Sequence, residues 1–89
     1  MARVEVHAGS VEGGRITSLR VKIHALPARS IDRDTAIAWM RDGHSMIPVV
    51  GGRDASALHL VEVGEPIELY IRADHDKSPA DSLPELPRG

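Results

Sequence analysis

Apolar and polar residues alternate strictly in Arg3-Val4-Glu5-Val6-His7-Ala8, with the apolar side chains at even positions. A period of two marks a strand with one face buried. A second stretch of the same kind covers residues 16–25, and Glu12-Gly13-Gly14-Arg15 separates the two. Adjacent glycines suit the centre of a type I′ turn, where both residues need positive φ. With Gly13-Gly14 as a two-residue loop, Val4 faces Ile23, Val6 faces Val21 and Ala8 faces Leu19 on one side. On the other side Glu5 faces Lys22, Arg3 faces His24 and His7 faces Arg20. A slip of one residue would turn the apolar set outward. A longer loop over residues 9–14 keeps the same faces in another register.

Pro27 stops the second strand. The period then changes. Ala36, Ile37 and Met40 form one apolar stripe at helical spacing, with Trp39 on its shoulder, so a helix of about three turns is expected over 30–43. Asp32 or Ser30 can cap its start, Asp34 suits the positive end of its dipole, and Gly43 is the expected left-handed residue past its end. Trp39 is expected to anchor the helix to the sheet. A third strand over 45–50 contains Pro48, which cannot donate a ladder bond, so this strand is expected at an edge or bulged. Strands over 57–63 and 66–73 follow, joined by Gly64-Glu65 as a type II′ turn. That register sets Leu60 against Leu69 and Leu58 against Ile71, with His59 against Tyr70 and Val61 against Glu68 on the opposite face.

The element order ββαβββ predicts an α+β fold of two layers, one helix packed on a mostly antiparallel sheet of about five strands. A small curled β-barrel with one helix is the alternative. The domain is expected over 1–74. Residues 75–89 hold three prolines and no periodicity, and are expected to be a disordered C-terminal tail. Within it, Leu83-Pro84-Glu85-Leu86-Pro87 has a second reading as a short docking peptide.

Composition narrows the picture. Eighty-nine residues make one domain, and its core must be aliphatic, because there is no Phe, one Trp and one Tyr. The formal net charge is −2, which gives no overall pull toward nucleic acid or an anionic membrane. No run of 18 apolar residues is present, and the start lacks the apolar region of a signal peptide. Cysteine is absent, so disulfides, iron–sulfur clusters and thiol nucleophiles are excluded. A cytoplasmic location fits this composition, and self-association is a reasonable supplement to so small a core.

Candidate chemistry is sparse. The five histidines show no metal-ligand spacing, and Asp74-His75-Asp76 reads as a solvated strand end. No metal or other cofactor is expected. His44 and Ser45 adjoin Asp42, but neighbours in an extended segment point to opposite faces, so a nucleophile–base pair is not expected there. Gly13-Gly14 and Gly51-Gly52 open no helix and read as turns, which excludes a phosphate loop. The outward sheet face is the stronger candidate. It is expected to gather Arg3, His7, Arg20, Lys22, His24, His59, Tyr70 and Arg72, alongside Glu5, into a locally basic surface. The expectation is therefore a non-enzymatic interaction module, or a homodimer, using that face or the proline-marked edge. A small enzyme or anionic-ligand binder using His44 and Ser45 is the alternative. Nucleic acid is disfavoured, because single-stranded binders stack bases on several aromatic side chains and only Tyr70 is offered.

Overall fold

A computed structural model describes residues 2–87. Its elements are β1 (Arg3–Glu12), β2 (Arg15–Ile23), β3 (Arg29–Asp32), α1 (Arg33–Arg41), β4 (Ser45–Val50), β5 (Arg53–Asp54), β6 (His59–Val63) and β7 (Glu68–Arg72). One helix packs on a mostly antiparallel five-stranded sheet of order β3-β2-β1-β4-β5, and β6–β7 forms a separate two-stranded sheet. The fold is α+β, and no barrel closes among the described residues. The single parallel pair among the described residues is β1 with β4. Val4, Val6, Leu19, Val21, Ala36, Met46 and Ile71 are wholly or almost wholly buried. The helix, the second sheet and the C-terminal segment together cover the face that these residues present. No helix of the described residues is long and apolar enough to cross a membrane.

The first hairpin turns at Gly13-Gly14, both at positive φ, and pairs Val4 with Ile23, Glu5 with Lys22 and Val6 with Val21 as its pattern demands. Between the turn and these pairs the register departs from expectation. Gly9, not Ala8, faces Leu19, and Ala8, not His7, faces Arg20. The register shifts once after Val6 and again before Val11. The cause lies in β2. Ile16 and Leu19 are both core residues, yet they are three apart, and strict alternation would send one of them outward. An extra residue on β2 lets both point inward, and an extra residue on β1 restores the register beyond it. His24 lies past the end of β2, in a turn closed by the Leu26 N–H on the Ile23 carbonyl (2.9 Å).

The helix is framed as its sequence dictates. Asp32 caps the start and accepts the Thr35 N–H at 2.8 Å. At the far end Gly43 has φ 93°, its N–H donates to the Met40 carbonyl at 3.1 Å, and the His44 N–H donates to Trp39 at 3.0 Å. These two bonds make a Schellman motif. Trp39 is half-buried against the core, and the Arg29 guanidinium lies 5.6 Å from its ring centroid.

β4 is not the edge that Pro48 suggested. β1 flanks it on one side, and on the other β5 and the following residues cover it. The Ala55 N–H donates to the Pro48 carbonyl and the Leu58 N–H to the Met46 carbonyl, each at 2.8 Å. In a strand the N–H and C=O of one residue point the same way. The donor that Pro48 lacks is therefore missing on the β5 side, and the ladder to β1 is untouched.

The second hairpin also departs from its expected register. Leu60 faces Ile71, Val61 faces Tyr70 and His59 faces Arg72. Its loop is Gly64-Glu65-Pro66-Ile67 with a cis Glu65–Pro66 bond. A two-residue turn at Gly64-Glu65 would need the N–H of residue 66 to close it, and Pro66 has none.

The tail is corrected most. Its described part is not a loose end, because Asp81 is buried and Leu83 and Leu86 pack on the core. The Asp81 side chain is 0% exposed. Its Oδ2 accepts the Ile16 N–H (2.7 Å) and Arg33 Nε (2.8 Å), while Oδ1 accepts the Ile71 N–H (2.9 Å) and Arg33 Nη2 (3.1 Å). The Asp81 N–H donates to Gly14 (2.7 Å) and the Ser82 N–H to Ile71 (2.8 Å). One carboxylate thus joins the five-stranded sheet, the two-stranded sheet and the helix start. Further on, the Gly9 N–H donates to Pro87 at 3.0 Å. Gly9 leaves the room that Leu83 occupies, since a Cβ there would stand 2.7 Å from Leu83 Cδ1. Residues 88 and 89, part of the expected tail, lie outside the described residues.

Removing Asp81 leaves Arg33 without its counter-ion, hydrogen-bonded only to the Leu69 carbonyl at 2.6 Å, and strands two buried amides, so Asp81→Ala is expected to cost about 3–5 kcal/mol in urea unfolding. Arg33→Met is expected to cost less, because it leaves both amide bonds in place; equal losses would show that the ion pair alone matters. Burial favours the neutral acid, but Arg33 and the Ile16 and Ile71 amides outweigh it and hold the Asp81 carboxyl below its ordinary range. A lowered folded value means that this stability is complete above the unfolded value of about 4 and is lost as pH falls through the folded one. The gap in urea midpoint between wild type and Asp81→Asn is therefore expected to narrow below about pH 4.

Candidate functional site

The expected basic face is divided by the fold. Its eight residues required the two hairpins to share one sheet, and they belong to two. Arg3, His7, Arg20 and Lys22 belong to β1 and β2. His24 is in the turn beyond. Tyr70 and Arg72 are buried in the second sheet, at 5% and 8% exposure, and offer no surface. His59 belongs elsewhere, as described below.

Tyr70 and Arg72 are held by their own neighbours. The Tyr70 hydroxyl donates to Glu68 at 2.7 Å, and the guanidinium carbons of Arg15 and Arg33 lie 5.4 and 5.8 Å from its ring centroid. The bond to Glu68, with burial second, holds the phenol above its ordinary range, and the same bond, with Arg15 second, holds the Glu68 carboxyl below its own. Arg72 donates to Asp74 (2.7 Å) and to the Ala80 carbonyl (2.8 Å). These contacts fasten the tail.

The outer face of the five-stranded sheet is open. Alternation along β4 sends Met46 and Pro48 into the core and Ile47 and Val49 outward, half-buried. Ile47 pairs with Glu5, and Glu5 with Lys22. Arg3 is bonded to Asp54 across the β4–β5 edge. His7, left without a partner by the register shift, contacts Glu5 through Nε2 at 3.0 Å. Arg20 and Lys22 are exposed and make no salt bridge among the described residues. The face is thus two branched apolar side chains in a mixed but net basic field.

A second candidate lies where α1 ends. A groove of about 350 Å³ is lined by Met40, His44 and Ser45 on one side and by residues 57–60 and His75 on the other. It brings His59 to the His44–Ser45 corner, although sequence placed the two apart. The His59 and His75 rings stack with centroids 4.0 Å apart at 28°. His44 stands edge-on to Trp39, with centroids 6.5 Å apart at 74°. Its Nδ1 accepts the Ala2 N–H at 3.0 Å, which puts the ring proton on Nε2. The Ser45 N–H donates to the Ala2 carbonyl at 3.1 Å, while its hydroxyl has no partner among the described residues. Ser45 and His44 form no nucleophile–base pair, since the ring nitrogen nearest the backbone is engaged by Ala2. No group of three or more His, Cys, Asp or Glu is placed to hold a metal ion among the described residues.

Asp81 is the residue that sequence reasoning passed over, and His75 was read only as part of a solvated strand end. Neither sits in a periodic segment, and their importance arises only from the return of the tail. Comparison of the chain with protein-family models, with curated proteins and with solved structures finds no match. Its surfaces must therefore be read from their own chemistry.

The Ala2–His44 bond has a direct spectroscopic consequence. Long-range ¹H–¹⁵N correlation is expected to show His44 as the Nε2–H tautomer, with a two-coordinate Nδ1, and Ala2 truncation is expected to release that preference.

Proposed function

We propose that this chain is an interaction module that binds an acidic partner protein through the open face of its five-stranded sheet. The observation that carries the reading is the one-sided coverage of the sheet. Helix, second sheet and tail all lie on one face, and the other presents Ile47 and Val49 on β4 and, across β1 with its Glu5, the exposed Arg20 and Lys22 on β2, which make no salt bridge among the described residues. A small apolar centre with a charged rim is the ordinary anatomy of a protein interface. The rim charges give on-rate and specificity, while the apolar pair supplies area excluded from water.

The charge on this face favours an acidic surface over a second copy of the same basic face. β4 edge pairing is not part of the proposal, because β5 and residues 55–58 cover that edge. Catalysis finds no support in the corner at His44 and Ser45, and the groove there calls for a separate account.

A photo-crosslinking residue at Ile47 is expected to give a defined hetero-adduct in cells, and the same residue at exposed Asp34 of α1 is not. Adding Arg20→Glu and Lys22→Glu is expected to reduce the Ile47 adduct at least about tenfold through the loss of electrostatic steering. A self-adduct alone would reassign the face to a homodimer. Equal adducts at both positions would remove the face as an interface.

A further inference from the structure

We infer that the outer edge of β6 takes up an extended, basic segment of a partner protein as an added antiparallel strand. This site is separate from the outer face of the five-stranded sheet and does not rest on that face's role.

The ladder shows which backbone groups are free. In an antiparallel pair, residues that face each other either exchange both backbone hydrogen bonds or neither. On β7 the Ile71 N–H donates to Asp81 (2.9 Å), the Ile71 carbonyl accepts the Ser82 N–H (2.8 Å), and the Leu69 carbonyl accepts Arg33 (2.6 Å). Ile71 and Leu69 therefore turn their backbone groups away from β6. Their facing residues, Leu60 and Glu62, turn theirs away from β7. Leu58 shares this parity, and its N–H reaches the Met46 carbonyl at 2.8 Å. Beyond that bond the chain leaves β4. The N–H and C=O groups of Leu60 and Glu62 then have no protein partner among the described residues.

The two edges of this small sheet are treated differently. The β7 edge is covered by the chain's own tail at residues 81–82. The β6 edge carries none of the usual devices that blunt an edge, since residues 59–63 contain no proline, no lysine and no bulge. The groove lined by Met40, His44 and Ser45 separates Leu60 from the end of α1, so a strand can approach where β4 falls away.

Backbone pairing accepts an extended chain of any sequence, and the side chains narrow the choice. Leu60 packs half-buried on the core, with Met40 across the groove, so a facing residue meets aliphatic surface. Two residues along, Glu62 is exposed and makes no salt bridge among the described residues, and neither does Glu65 in the loop beyond. Opposite charges facing each other across an antiparallel pair stabilise it. The incoming segment therefore sets a lysine or arginine against Glu62 and, two residues later, an aliphatic residue against Leu60. A second copy of β6 offers neither lysine nor arginine to Glu62.

The test uses the full chain, labelled with ¹⁵N, and the capped peptide acetyl-Thr-Lys-Thr-Val-Thr-amide, whose Lys faces Glu62 and whose Val faces Leu60. Saturable binding is expected at a Kd of about 0.1–1 mM. The Leu60 and Glu62 amides should shift most, and at ten times Kd they should exchange with water about tenfold more slowly. An Hα–Hα nuclear Overhauser contact should join Val61 to the central Thr, the pair that approaches without hydrogen bonds. N-methylation of the peptide's Lys or Val, whose amides face β6, is expected to weaken binding at least about tenfold. N-methylation of the central Thr, whose amide faces away, is expected to leave it within about twofold. Glu62→Lys is expected to prefer the peptide with Glu in place of Lys, reversing the wild-type order. The proposal is overturned by absence of saturation up to about 20 mM, by equal losses at all three N-methylated positions, by an unreversed order in Glu62→Lys, or by shifts centred on Arg20 and Lys22. Movement of the Leu60 and Glu62 signals with chain concentration alone would assign the edge to a second copy and overturn it equally.

Discussion

A single buried carboxylate decides whether this chain has one core or two loose sheets. Two antiparallel hairpins of modest size do not share backbone hydrogen bonds here, since β1–β2 and β6–β7 lie in different sheets. Asp81 supplies what the ladders lack. It receives one amide from each sheet and the guanidinium of the first helical residue. Every acceptor direction is filled, and no buried polar side-chain atom is left unsatisfied among the described residues. An ionised group tolerates such burial only when its hydrogen bonds are complete. The aliphatic core then closes over the same junction, with Ile16, Leu19 and Ile71 from the two sheets in contact with one another's layer.

How much of this could be read from residues alone follows from what each element depends on. The helix was readable at both ends, because Asp32 and Gly43 act within four residues of the atoms they satisfy. The paired glycines placed the first turn for the same reason. Register was harder. The shift near Thr17 follows from the three-residue spacing of Ile16 and Leu19, a signal that was present, but strict alternation hides it. The second hairpin failed at Pro66, whose missing N–H forbids the two-residue turn that Gly64-Glu65 otherwise invites. β3 and β5 are short and owe their strand state to neighbours, so no local pattern announces them. The tail was unreadable by any periodic rule, since Asp81 and His75 matter through partners up to 65 residues away.

The same division holds for the surfaces. Arg20 and Lys22 were found by alternation on a strand that kept its face. Tyr70 and Arg72 were misplaced because face assignments made within one hairpin do not say which layer that hairpin joins. His44 and Ser45 were singled out together for a chemistry that their bonds to Ala2 do not serve. Their setting became informative only with His59 and His75 beside them. What these contacts place on the surface is an outward sheet face with Arg20 and Lys22 exposed and, apart from it, a histidine-lined groove.

The place of Asp81 in the chain also governs the order in which the molecule can be completed. Ile16 is made 65 residues before its carboxylate partner. Closing so long a loop carries an entropic cost before any contact repays it. During synthesis the first hairpin and the helix must therefore wait with their apolar face partly uncovered, whatever local structure they have gained. Any chain interrupted before residue 81 keeps that face open permanently. An unfinished copy is thus distinguishable from a finished one by its surface, which is the property that chaperones and proteases recognise.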